Sequence, residues 1–417
     1  MVYDVQKGGN EMTAKELMSI LEDNAYVHTG GTPEELRCAA YIQSKVSEFG
    51  CKAELWDFSV PMAQIQTAEL TVDGISIPCT GYFCAGDWDV EAPLYYLRHD
   101  DELSLSNCKD KIVLLDTFVG FWKYQDLLKA GALGYITCNG TIYSDDRDID
   151  QKEQRSFVHL GHRMPALNIH AADCIEIVRR NGKMAHIVLK QREWEGKSHN
   201  VILDIPGEVD EYIAFTAHYD TTHLSIGPYD NMSGTAGLLY LAEYFAKNPQ
   251  HYSLRFIWCG SEERGLLGSK AYCAVEENLN NCIMNINLDM IGCLMGRFIS
   301  CVTAGERMSG YISCLSNELG FQNDVYRDVY SSDSTPFADK NIPAVSFARI
   351  APGTMAGYHD RYDNLDCMSG DQMVEDFEFV LAFAKRMAAA KRCPFPREMP
   401  EDMRKKLDHY LGIKRNK

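Results

Sequence analysis

The sequence contains no C-x-x-C pair, and its 15 cysteines are odd in number and scattered. That excludes the close thiolate pairs of a structural zinc site and the even set of a small disulfide scaffold. The cysteines are therefore expected to serve mainly as small buried hydrophobes in a reducing compartment. The opening residues, MVYDVQKGGNEMTAKEL, lack the apolar centre of a secretory signal. No stretch approaches the ~18 uninterrupted apolar residues of a membrane span, and runs such as residues 112–115 have the length of buried strands. A soluble, cytoplasmic protein is the expectation. Basic residues are in deficit, 41 Lys and Arg against 59 Asp and Glu, for a formal charge of −18. Such a charge is repelled by phosphate backbones and anionic lipid, so neither nucleic acid nor a membrane is expected as a partner.

What is present is enough for a sizeable core. The chain has 417 residues, 46% of them hydrophobic and 24% charged, which is ordinary for globular material of two or three domains. Near the start, Thr13 with Glu16 predicts a capped helix over 13–24. Thr32, Pro33 and Glu35 predict the N-cap, N1 and N3 of a second helix ending at Gly50. A strand is expected over 51–60. From about 65 to 192, short apolar runs alternate with Gly and Asp turns: strands at 110–117, 132–138, 164–169 and 185–189, a helix at 121–130, and a polar loop at 141–163. From Ser198 onward strands are expected at 199–205, 211–217, 253–259, 283–289, 297–303, 325–330 and 343–347. Helices are expected at 233–247, 265–279, 307–319 and 370–391, the last with Ser369 and Gln372 as a capping pair. This alternation predicts an α/β fold with a mainly parallel, mixed sheet flanked by helices. Ligands of such sheets bind beyond the carboxyl ends of the strands.

The polar residues that matter fall at those ends. Strand 211–217 delivers His218-Tyr219-Asp220; Asp230 follows twelve residues after His218. Strand 253–259 delivers Ser261-Glu262-Glu263, and strand 283–289 ends on Asp289. A later loop carries Tyr358-His359-Asp360. Taken singly, each has an ordinary structural role. Taken together, two imidazoles and three carboxylates suit a borderline divalent cation such as zinc. Five protein ligands exceed one open tetrahedral ion but suit two that share a carboxylate and a water.

The run AHYDTTH, GPYDNMSG, SEERGLLGS, NLDMIG and YHDRYDNLD, within about residues 198–392, resembles the co-catalytic zinc aminopeptidase family, which also contains glutamate carboxypeptidase II and transferrin receptor. The stretch 110–138 within the preceding block resembles the protease-associated domain, a small β-rich module inserted in several such peptidases. The resemblance implies four segments: 1–62 as the N-terminal part of the peptidase domain, 63–195 as the insert, 196–392 as the zinc peptidase domain, and 393–417 as a charged tail docking through Leu407, Tyr410 and Leu411.

It also implies roles. His218 and Asp289 would hold one zinc, Glu263 and His359 the other, and Asp230 both, with Co2+ or Mn2+ as alternative ions. Glu262 would be the general base toward a metal-bridging water, and Asp220 would orient His218 by accepting its second ring proton. One ion would recognise the free α-amine of a peptide substrate. The activity implied is release of N-terminal residues from peptides; a carboxypeptidase, a dipeptidase or another zinc amide hydrolase is the alternative. A non-enzymatic binding protein is the more distant one, since no ligand position is lost. Assembly into a homo-oligomer is left open. Many relatives carry His after the Ser-Asp pair where this chain has Ser334, which puts the substrate pocket in question. Tyr330, Ser334 and Tyr358 are the pocket candidates. His223 is expected to line the cleft, His159, His162 and His170 to bind no metal, and Cys259 and Cys293 to be buried.

Overall fold

The structure is a computed structural model and describes residues 12–415. The chain separates into two compact units, one formed by residues up to Phe58 together with those from Lys197 onward, the other by Ser59–Gly196. The chain passes from one to the other within two long strands, Glu54–Val72 and Met184–Ile205. The first of these runs well beyond the expected end at 60. Among the described residues no helix is long and apolar enough to cross a membrane.

The first unit is a mixed α/β sheet flanked by helices. Its strands lie in the order Asp324–Arg327, Arg297–Thr303, Ala344–Ile350, Cys282–Leu288, Val209–His218, Tyr252–Cys259 and the end of Met184–Ile205. Four neighbouring pairs run parallel. The pairs Arg297–Thr303 with Ala344–Ile350, and Tyr252–Cys259 with Met184–Ile205, are antiparallel. The central strand Val209–His218 is buried without a break from Tyr212 to His218, as expected of a strand covered on both faces. Phe215, Phe256 and Phe347 pack from the strands against the helices Ser233–Lys247 and Gly370–Ala388. Each such buried side chain contributes about 1.5–3 kcal/mol.

Local chemistry sets the helix ends. Thr13 and Glu16 form a complete capping box on Ala14–Asp23. In Pro33–Glu48 the expected N-cap is made, Thr32 accepting the Glu35 N–H at 3.3 Å, while the Glu35 carboxylate goes elsewhere. The helix expected over 265–279 begins at Leu267, because Leu266 sits in the left-handed region at φ 61°, and it gives way after Ala274 to a single 3-10 turn, Glu276–Leu279. The strand expected over 325–330 stops at Arg327. The C-terminal helix Glu401–Tyr410 buries Met403 and Leu407 completely, and the Tyr410 hydroxyl meets Ser331 at 2.5 Å.

The second unit holds four parallel strands, Trp88–Tyr96, Ile112–Leu114, Gly134–Asn139 and Ala166–His170. The helices Phe121–Ala130 and Ala171–Arg179 accompany them. The latter helix has no Ser, Thr, Asp or Asn to announce it; His170 caps it, Nδ1 accepting the Ala172 N–H at 3.2 Å. Asp73 and Gly74, both at positive φ, turn the hairpin between Glu54–Val72 and Ile75–Ile77.

Candidate metal centre

Three neighbouring parallel strands end nearly level with one another: His218 pairs with Cys259, and Asn287 with Thr216. Their loops carry Asp289, Glu262 and Glu263, the loop before Ser233–Lys247 carries Asp230, and the loop after Ala344–Ile350 carries His359. All six sequence-selected residues thus converge. His218 Nε2 lies 3.2 Å from Asp230 Oδ1 and 3.4 Å from Asp289 Oδ1. On the other side His359 Nε2 lies 3.1 Å from Asp230 Oδ2 and 3.0 Å from Glu263 Oε2. Asp230 therefore presents one oxygen to each of two three-residue donor groups. Glu262 joins a third such group with His218 and Glu263.

Donor chemistry and spacing fit zinc. With zinc–ligand bonds of about 2.0–2.1 Å, tetrahedral donors stand about 3.3 Å apart, close to the 3.0–3.4 Å found here. Asp289 Oδ1 is buried with no hydrogen-bond partner, a costly arrangement that a cation relieves.

The electrostatics agree. Burial opposes charge on His218, yet the carboxylates of Glu262, Asp220, Asp230 and Asp289 outweigh it and hold its pKa well above the ordinary value. Partial burial is likewise overcome on His359 by Glu263 and Asp230. Burial, with Glu263, Asp333 and Asp289 nearby, pushes Glu262 well above the usual carboxylate range despite His218. A group that prefers its proton in this way, next to candidate cation donors, is suited to proton transfer.

Asp220 differs in detail from the expected orienting role. His218 Nδ1 faces the backbone carbonyl oxygen of Asp220 at 3.2 Å, with the carboxylate at 3.6 Å. That carboxylate instead accepts the Glu262 N–H at 2.8 Å and the Glu263 N–H at 3.2 Å. It fixes the turn that presents both glutamates. The pocket candidates are spread. Tyr358 is 54% exposed, with its ring against His359. Tyr330 is half-buried, and Ser334 is buried with its hydroxyl on Ser346. Cys259 and Cys293 are buried and His223 is exposed. Among the described residues His159, His162 and His170 belong to no metal-holding group.

Several residues that hold the site were not singled out in the sequence. Asn231 clasps both flanks of Asp289, donating to Leu288 O at 3.0 Å and accepting from Met290 N at 3.0 Å. A Cβ on Gly234 would lie 2.3 Å from Leu288 O, so only glycine lets this approach occur. Asp376, fully buried, pairs with Arg349 at 2.6 Å and accepts the Gly292 N–H. Below the site Asn285, Thr216, Asn287, Ser332 and Ser346 form a buried hydrogen-bonded ladder. The alternating asparagines of the IMNINL run were its visible trace.

Residues 200–384 match the profile of peptidase family M28. Over 215 residues the chain is 29% identical to aminopeptidase YwaD of Bacillus subtilis, a match covering 49% of this chain and 47% of that one. An aminopeptidase of Pseudomonas aeruginosa is 31% identical over 130 residues, covering 31% and 22%. The chain thus spans about half or less of the length of these relatives. In fold it resembles an aminopeptidase from Aneurinibacillus sp. strain AM-1, with a TM-score of 0.74 at 22% identity over 92% and 96% of the two chains. It also resembles a zinc aminopeptidase from Bacillus subtilis, with a TM-score of 0.73 at 23% identity over 94% and 98%. The strand-end motifs and the matched profile fall on the same stretch, 200–384, and the fold is that of these solved structures.

Proposed function

We propose that this protein is a two-zinc exopeptidase that releases single residues from the N-terminus of peptides. The observation that carries the reading is the position of Asp230, one oxygen toward His218 and Asp289, the other toward Glu263 and His359. Asp230 would be shared by both ions, with His218 and Asp289 completing one site and Glu263 and His359 the other. When bound, the ions would make water at the site more acidic and draw charge from the scissile carbonyl oxygen; cobalt or manganese would serve in the same way. Cleavage of the N-terminal peptide bond, rather than a C-terminal one, is supported by relatives that are named aminopeptidases.

The chain's own residues supply the rest. Glu262 takes a proton from the attacking water as its oxygen adds to the scissile carbonyl carbon. It returns that proton to the amine nitrogen as the C–N bond breaks. Asp220 keeps Glu262 and Glu263 aimed by holding both of their backbone N–H groups. The unit Ser59–Gly196 is read as a protease-associated module. A cytoplasmic location is supported by cysteines that form no disulfide among the described residues, Cys38, Cys259 and Cys282 in full burial among them.

Hydrolysis of aminoacyl chromogenic substrates beside their N-acetylated forms, with and without chelator, tests the reading. Cleavage limited to the free-amine forms and lost with chelator is expected. Cleavage of neither form by zinc-loaded protein would move the assignment to a carboxypeptidase, a dipeptidase or another amide hydrolase.

A further inference from the structure

Glu35 is completely buried at the start of the helix Pro33–Glu48. A carboxylate seldom enters a protein interior without a task for its oxygens. Its Oε1 accepts the Ser198 hydroxyl at 2.6 Å and the Ser261 hydroxyl at 3.4 Å, and its Oε2 accepts the Gly31 N–H at 2.7 Å. Two loops and the strand Met184–Ile205 therefore meet on one side chain. None of these contacts is to a cation ligand, so Glu35 does not belong to the donor set.

What it holds is the turn that carries the proposed base. Ser261 is a left-handed residue at φ 54°, a conformation that costs a non-glycine about 1–2 kcal/mol and persists only where neighbours enforce it. The Ser261 side chain is fully buried against Gly30, where an added Cβ would lie 2.2 Å from its Oγ. Arg264 donates to Gly30 O at 3.3 Å. On the far side of the turn, Asp220 takes the N–H groups of Glu262 and Glu263. The base is thus set from two directions: Asp220 holds the backbone just after Ser261, and Glu35 with Gly30 holds Ser261 itself. The helix beneath Glu35 buries Cys38, Ala39, Ile42 and Val46, which makes it a fixed support.

We infer that Glu35 is a positioning residue that locks the Ser261 turn and thereby aims Glu262 at the reacting carbonyl. The inference rests on the reading of Glu262 as the base. Replacing Glu35 with alanine strands two hydroxyls and one N–H in a sealed site and frees the turn. Replacing it with glutamine preserves all three contacts, since the amide oxygen can take the Gly31 N–H and the amide N–H groups can meet the two hydroxyls.

The test compares wild-type protein with Glu35→Ala and Glu35→Gln, all zinc-loaded. Three quantities are read: hydrogen exchange of the segment 260–267 against the central-strand segment 213–217, kcat and KM on a free-amine substrate, and bound zinc. In Glu35→Ala, exchange at 260–267 should rise about ten-fold while 213–217 is unchanged. Its kcat should fall about 10- to 100-fold with KM within about two-fold, and zinc should be retained. Glu35→Gln should restore both. Unchanged exchange at 260–267, or a folded Glu35→Ala with wild-type kcat, overturns the inference. If Glu35→Ala does not fold, Ser261→Ala is read in its place with the same two outcomes. If wild-type protein cleaves no free-amine substrate, the exopeptidase reading falls, and the exchange comparison alone decides the role of Glu35.

Discussion

Asp363 supports Asp230 from behind: its Oδ2 accepts the Asp230 backbone N–H at 3.2 Å. The same carboxylate takes the Tyr229 N–H at 3.0 Å and the Ser225 hydroxyl at 2.8 Å. Burial and the neighbouring Asp230 charge push its pKa up to about 7. The candidate shared donor is thus held by a second carboxylate. Asp363→Asn turns an N–H donor toward backbone N–H groups and leaves at least one of them unpaired. Zinc affinity should fall about 10- to 100-fold, and stability by about 1–3 kcal/mol. Titration against a competing chelator and urea denaturation check the two effects; unchanged zinc affinity would reject the supporting role.

Glu262→Gln should separate chemistry from metal binding. The side chain keeps its size but cannot carry the proton, while Asp230, Glu263, Asp289 and both histidines are untouched. Turnover should drop by about 10²–10⁴ with zinc content unchanged. Steady-state kinetics with metal analysis of the same sample gives the answer. A variant with most of its turnover intact would remove Glu262 from the mechanism.

Metal stoichiometry should follow the two donor groups. Wild-type protein is expected to hold two zinc ions per chain, Asp289→Ala and Glu263→Ala about one each, and Asp230→Ala neither tightly. Because the cations bind only the folded site, chelation should also lower Tm. Mass spectrometry under native conditions counts the ions directly. Two ions retained in Asp230→Ala would contradict the sharing.

Glu35 gives stability a pH dependence of definite sign in chelated protein. Burial, then the Asp220 charge, raises its pKa from 4.5 to about 8 in the fold. The folded state therefore binds the proton more tightly than the unfolded chain does. The stability this contributes is complete below the unfolded pKa and is lost as pH rises through about 8. Glu35→Gln cannot ionise, so its stability relative to wild type should increase between roughly pH 5 and pH 8, by roughly 1 kcal/mol or more. Thermal denaturation across that range follows the difference. A gap between the two proteins that does not change with pH would show that Glu35 is ionised in the fold.

The candidate ligands were legible because strand ends, residue types and spacing all enter the linear sequence. A run such as IAFTA followed by His218, or IMNINL followed by Asp289, states both where a strand stops and which donor it delivers. The alternation of strands with helices likewise announced a mainly parallel sheet. The supports were not legible. Glu35 reads as an ordinary N3 residue of a capped helix, and its true partners, Ser198 and Ser261, lie 163 and 226 residues away. Asp363 reads as one of several acids in YHDRYDNLD, and nothing local ties it to Asp230. Helix ends set by single left-handed residues, such as Leu266, were also invisible, because leucine carries no turn signal.

By itself, then, the sequence determined the class of fold, the five candidate cation ligands and the candidate base, since periodicity and strand-end chemistry are local properties of the chain. Only the tertiary structure decided that one oxygen of Asp230 faces each donor group, that Asp220 holds backbone N–H groups rather than chiefly the His218 ring, and that Glu35 and Asp363 lie behind the ligands. Those relations depend on distances between loops far apart in sequence, and close packing around the sheet ends is what fixes such distances.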